Sequence, residues 1–104
     1  MPAVEFENFD EVLNEKHERL QEPPLYRVII HNDHYTTMEF VVEVLVDVFH
    51  FDQVQAEQIM MMVHRKGAGF CGEYERQIAE SKVAEVSRRA AAAGFPLRCT
   101  MEKI

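Results

Sequence analysis

Asn32-Asp33-His34-Tyr35-Thr36 places an amide, a carboxylate, an imidazole and two hydroxyls on five consecutive residues. Further along, Met60, Val63 and His64 recur at i, i+3 and i+4, the spacing that puts side chains on one side of a helix. A polar loop facing that stripe, with Met38 and Val41 bordering the same space, makes a small apolar pocket with a polar rim. The rim residues are acceptors: ionised Asp33 only accepts, Asn32 offers a carbonyl oxygen, and neutral His64 accepts through one ring nitrogen. Acceptors beside an apolar pocket suit an apolar group that carries an ammonium. The same residues have a plainer reading, since Met and Val at helical spacing also build cores and Asn-Asp after a strand also makes a turn. Spacing alone leaves both open.

Other chemistries have weaker support. His31, His34, His64, Cys71 and Cys99 are the residue types that hold metals, but none stands at C-x-x-C or H-E-x-x-H spacing. A cysteine nucleophile with His64 as its base is disfavoured, because both thiols fall among apolar neighbours in predicted strands, where a thiol stays protonated. Lys66-Gly67-Ala68-Gly69 has two glycines but no helix starting after it to receive a phosphate; these glycines end a helix and turn the chain.

The elements that position these residues follow from periodicity. Leu25-Tyr26-Arg27-Val28-Ile29-Ile30-His31 is β-branched and aromatic and stops at Asn32-Asp33, which predicts a strand entering a tight loop. Thr36 with Glu39 fits a capping box ahead of a helix over 37–50, striped by Met38, Val41, Val42, Leu45, Val48 and Phe49. Asp52 with Gln55 caps a second helix, 53–66, ended by Gly67. Residues 69–74 read as a short strand whose glycines mark a bulge or close approach. A third helix starts at Glu75 and stops at Gly94, and 97–102 alternates as a half-buried strand. The order β-α-α-β-α-β predicts an α+β domain, a small sheet with its helices on one side.

With 104 residues, 47% apolar and 28% charged, the chain has the length and composition of one globular domain. The formal charge of −7 argues against nucleic acid and anionic membranes as partners, since both recruit Lys and Arg. Residues 1–24 hold seven acids and two bases and close on Pro23-Pro24, leaving 25–104 with eleven acids and nine bases. This predicts an acidic solvated tail, 1–24, ahead of a domain over 25–104. Two cysteines are too few for a disulfide framework, and Met1-Pro2-Ala3-Val4-Glu5-Phe6-Glu7 shows no basic region leading into an apolar run. A cytoplasmic location is the expectation.

The loop and pocket residues together resemble the ClpS adaptors of the bacterial N-end rule pathway. The resemblance runs through Tyr26-Arg27-Val28, Asn32-Asp33, Tyr35-Thr36, Met38-Glu39-Phe40-Val41-Val42, Val63-His64, Lys66-Gly67, Cys71-Gly72 and Ile78-Ala79-Glu80. It continues in Lys82-Val83, Pro96-Leu97 and Cys99-Thr100-Met101-Glu102-Lys103, so it covers about residues 25–104. It implies a non-catalytic adaptor without cofactor or metal, which binds proteins bearing N-terminal Phe, Tyr, Trp or Leu and delivers them to the ClpA unfoldase of ClpAP. The implied fold is a three-stranded antiparallel sheet with three helices, similar to the C-terminal domain of the bacterial ribosomal stalk protein. By the same resemblance, Asn32, Asp33, His34 and His64 form the site for the substrate α-amino group. Thr36, Met38, Val41, Met60, Val63 and Leu97 line the side-chain pocket, with Met38 as a gate against β-branched residues, and Gln77 and Lys82 fall at the unfoldase-binding positions.

Three positions depart from the family pattern. His34 stands where a second acid is usual, Thr37 where Pro is usual, and Gln77 where an acid is expected; a divergent second copy of the adaptor would carry such changes. The alternative from another class is an interaction domain that binds a Clp-type unfoldase or another partner and is indifferent to a terminal amine.

Overall fold

A computed structural model describes residues 22–104. The expected acidic tail lies outside these residues except for Glu22, Pro23 and Pro24, which are exposed and without regular structure. Strand β1 (Leu25–His31) is followed by helices α1 (Met38–Asp47) and α2 (Gln53–Lys66), strand β2 (Ala68–Glu75), helix α3 (Arg76–Ala93) and strand β3 (Arg98–Lys103). The order is the one predicted, β-α-α-β-α-β.

The sheet is antiparallel with β1 in the centre, in the order β2-β1-β3. Alternation along β1 sends Val28 and Ile30 into the core at 0% exposure and leaves Arg27, Ile29 and His31 on the other face. Helix α3 packs across all three strands, while α2 packs on β2 and α1. Val44, Leu45, Val63, Ala79 and Val86 from the three helices close over the strand residues. One extra residue, Cys71, interrupts the ladder between Val28↔Gly72 and Ile29↔Phe70. The bulge reverses the in-out alternation, so that Tyr74 rather than Glu73 reaches the core and stacks obliquely on Phe49, 6.5 Å between centroids. Gly72 follows at φ 136°, and a Cβ there would stand 2.8 Å from the Tyr74 hydroxyl.

Two boundaries differ from expectation. The N-cap of α1 is Thr37, whose Oγ1 accepts from the Phe40 N–H at 3.2 Å, because the Thr36 hydroxyl donates to Asp33 instead. Helix α1 ends at Asp47 rather than 50. Val48 and Phe49 remain buried and so prolong the apolar stripe, but His50 takes a left-handed conformation, φ 61°, and turns the chain. Asp52 caps α2 as expected, accepting from the Gln55 N–H at 2.8 Å, and Gly67 ends it at φ 89°. No helix among the described residues is long and apolar enough to cross a membrane.

Candidate functional site

The loop leaving β1 is shaped by one side chain. Asp33 Oδ1 accepts from the backbone N–H of Tyr35 at 2.8 Å and of Thr36 at 2.7 Å, and its Oδ2 accepts from the Thr36 hydroxyl at 2.7 Å. An Asx-type turn of this kind replaces the backbone ladder that ends at His31. Partial burial raises the Asp33 pKa, but these hydrogen bonds outweigh it and hold the carboxyl below its usual range. The loop is then tied to α2, because the Asn32 N–H donates to the Gly67 carbonyl at 2.9 Å. That bond sets Asn32 beside the last turn of α2, where His64 lies.

Between loop, α1 and α2 is a cavity of about 210 Å³ bordered by Asn32, Asp33, His34, Thr36, Met38, Val41, Met60, Val63 and His64. Its volume is below the roughly 300–1,000 Å³ of sites for drug-sized ligands, and is on the scale of one side chain. Val41 and Val63, buried at 6% and 2%, form the floor, while Asn32, His34 and His64 stand exposed at the mouth. Met38, at 44% exposure, stands at the rim. The floor position of Val63 depends on a close backbone approach: a Cβ on Gly69 would lie 2.5 Å from Val63 Cγ2 and 3.2 Å from Ile59 Cγ2.

All nine bordering residues are among those singled out from the sequence. Leu97 is not one of them. It is 6% exposed and sits just before β3, in the same hydrophobic cluster that holds the floor residues Val41 and Val63. Gln77 and Lys82 instead border a groove of about 530 Å³ between the end of α1 and α3, with Val48, Ile78 and Ser81. The Lys82 ammonium donates to the Val48 carbonyl at 2.6 Å and lies over the Phe49 and Tyr74 rings at 5.9 and 5.5 Å, so it caps α1 from the neighbouring helix.

Among the described residues no three His, Cys, Asp or Glu side chains gather as a metal site requires. Burial pushes both Cys71 and Cys99 up to about 12, which keeps the thiols protonated and poor nucleophiles.

This geometry, with an Asn-Asp loop clamped by Thr36 over a cavity closed by His64, is joined by a direct comparison of sequences. The family model described as "ATP-dependent Clp protease adaptor protein ClpS" matches residues 21–100. The chain belongs to the ClpS adaptor family. A ClpS adapter from Syntrophus aciditrophicus is 51% identical over 98 residues, covering 93% of this chain and 92% of that protein. One from Oleidesulfovibrio alaskensis is 55% identical over 87 residues, covering 84% of each. Among solved structures, Agrobacterium tumefaciens ClpS2 bound to L-phenylalaninamide superposes with a TM-score of 0.77 at 41% identity, covering 80% of this chain and all of that one. The α+β arrangement described above is thus the ClpS fold.

Proposed function

We propose that the protein is an adaptor that captures substrates by a bulky apolar N-terminal residue, Phe, Tyr, Trp or Leu, and hands them to the ClpA unfoldase of ClpAP. The observation that carries this is a cavity of single-side-chain volume whose mouth is ringed by acceptors. The Asn32 carbonyl oxygen and a neutral His64 nitrogen accept from the substrate ammonium, and the Asp33 carboxylate adds negative charge while its hydrogen bonds hold the loop. Burying a Leu or Phe side chain contributes roughly 1.5–3 kcal/mol, and each charge-assisted hydrogen bond roughly 1.5–3 kcal/mol more. Neither term alone gives useful affinity, so recognition requires both the apolar side chain and the free amine. Thr36, Met38, Val41, Met60, Val63 and Leu97 form the side-chain pocket, and a β-branched residue is rejected because its second Cβ substituent meets Met38. No side chain of the site acts as a catalyst in this reading.

The ClpS2 structure with L-phenylalaninamide supports the reading, since that ligand combines a phenyl side chain with a free amine. Residues 25–104 constitute the adaptor domain and 1–24 an acidic tail. For the unfoldase, the groove holding Gln77 and Lys82 is the contact; it shares no lining residue with the cavity, so substrate and ClpA N-terminal domain bind together. Ile78, 48% exposed in that groove, is the probe: Ile78→Glu is expected to abolish unfoldase binding with peptide affinity unchanged.

Fluorescence anisotropy with a peptide beginning with Phe tests the central reading, beside its N-acetylated form and a version beginning with Ile. Binding of the free Phe peptide alone is expected. Equal binding of all three would favour an interaction domain indifferent to the terminal amine.

A further inference from the structure

The cavity does not end at Met38. A second depression of about 470 Å³ runs along the junction of α1 and α2 and shares two walls, Met38 and Met60, with the first. Met38, Val42, Met60 and Met61 line it, and Glu39 and Glu57 stand exposed at its edges. Among the residues that border it there is no Lys, Arg or His. Gln53 donates to Glu57 Oε1 at 3.1 Å, which leaves the other carboxylate oxygen open. A surface of thioethers between two carboxylates matches a long aliphatic side chain that ends in a cation: the methylenes lie on sulfur and carbon, the charge reaches the rim.

Resting on the adaptor reading above, we propose that this groove is a second specificity site, which receives a Lys or Arg side chain from the second or third residue of the bound substrate. Continuity decides the occupant. A chain whose first side chain fills the cavity must leave over the shared Met38–Met60 wall or away from it, and consecutive Cα atoms are about 3.8 Å apart, so only the next two residues reach a groove one side chain away. The protein's net charge of −7 attracts cations in general, but only a built groove makes the attraction depend on position along the peptide.

The test walks one Lys through positions two to five of a Phe peptide otherwise made of Ala and Ser, by anisotropy at about 0.15 M salt, against the full chain and its Glu39→Gln/Glu57→Gln double variant. Neither acid borders the terminal-residue cavity. Tighter binding is expected for Lys at position two or three, by about threefold to tenfold, with no gain at position five. Norleucine there should retain part of the gain, and the double variant should reduce Lys to the norleucine level with the Lys-free peptide unaffected. A gain that is uniform along the peptide, or absent, or intact in the double variant, overturns the groove while leaving the adaptor reading in place. Failure of the Lys-free Phe peptide to bind, or its indifference to N-acetylation, overturns the adaptor reading and the groove with it.

Discussion

Asp33, Thr36 and Met38 have separable duties within six residues. Asp33 spends its acceptor capacity on Tyr35 and Thr36, so its main contribution is to position Asn32 and to place a negative charge at the mouth. Thr36→Val removes one of three bonds to that carboxylate, and peptide affinity should fall by about fivefold to tenfold, less than the full worth of a hydrogen bond to a charged group because two backbone N–H bonds still hold the turn. Asn32→Ala and His64→Ala each remove a direct acceptor; isothermal titration with a Phe peptide should show losses of about tenfold or more. Met38→Ala opens the wall and is expected to admit Ile and Val peptides that the native chain rejects, at some cost in affinity for Leu; unchanged rejection would remove Met38 from the gating role. These residues were legible beforehand because polar types in a strand-to-helix loop have few uses, and because i, i+3, i+4 spacing on α2 leaves one orientation. Leu97 was not separable in this way, because an apolar residue at the start of a strand serves a core and a pocket wall alike.

At the level of elements, the site depends on how closely α2 sits on β2. Gly69 allows that approach, and Gly69→Ala is expected to destabilise the domain by about 1–3 kcal/mol through displacement of Val63, read as a lower midpoint in urea. Peptide affinity should fall with it, because Val63 is the cavity floor. The end of α1 has a different support. Lys82 caps Val48 across from α3, so Lys82→Met should lower thermal stability even without a partner present. Helix types and order were readable from period and caps, but α1's ends were not. Thr36 and Thr37 are equivalent as caps until the Asp33 turn claims one of them, and His50 carries no compositional sign that it will adopt positive φ. The Cys71 bulge was suggested by Gly72, whereas its consequence, the redirection of Tyr74 onto Phe49, required the register of β1 against β2.

For the whole molecule, three groups, His31, Asp33 and Glu85, link folding to pH in the same direction. Burial, with a smaller contribution from Arg98 that outweighs Glu102, lowers the pKa of His31, whose Nε2 lies 2.7 Å from the Thr100 hydroxyl. An unfolded imidazole takes up its proton near pH 6.5, so below that value the unfolded chain binds more protons and stability declines as pH falls through about 6.5 toward the lowered value. Asp33, also lowered, and Glu85, held down to about 2 by the Arg88 and Arg89 guanidiniums that donate to it, add a second decline below about pH 4, where the unfolded carboxyls protonate first. Thermal melts at pH 7.5, 5.5 and 3.5 should show both steps; His31→Gln should flatten the first, and Asp33→Asn and Glu85→Gln should each reduce the second. Class, element order, the polar loop and the α2 stripe were determined by the sequence alone, because hydrophobic period, capping residues and turn chemistry are local properties that each short segment states for itself. The tertiary structure decided which apolar residues face a cavity and which face the core, which threonine caps α1, and that a second groove shares the Met38–Met60 wall. Those depend on the distance and register between elements far apart in the chain, set by packing that no single segment encodes.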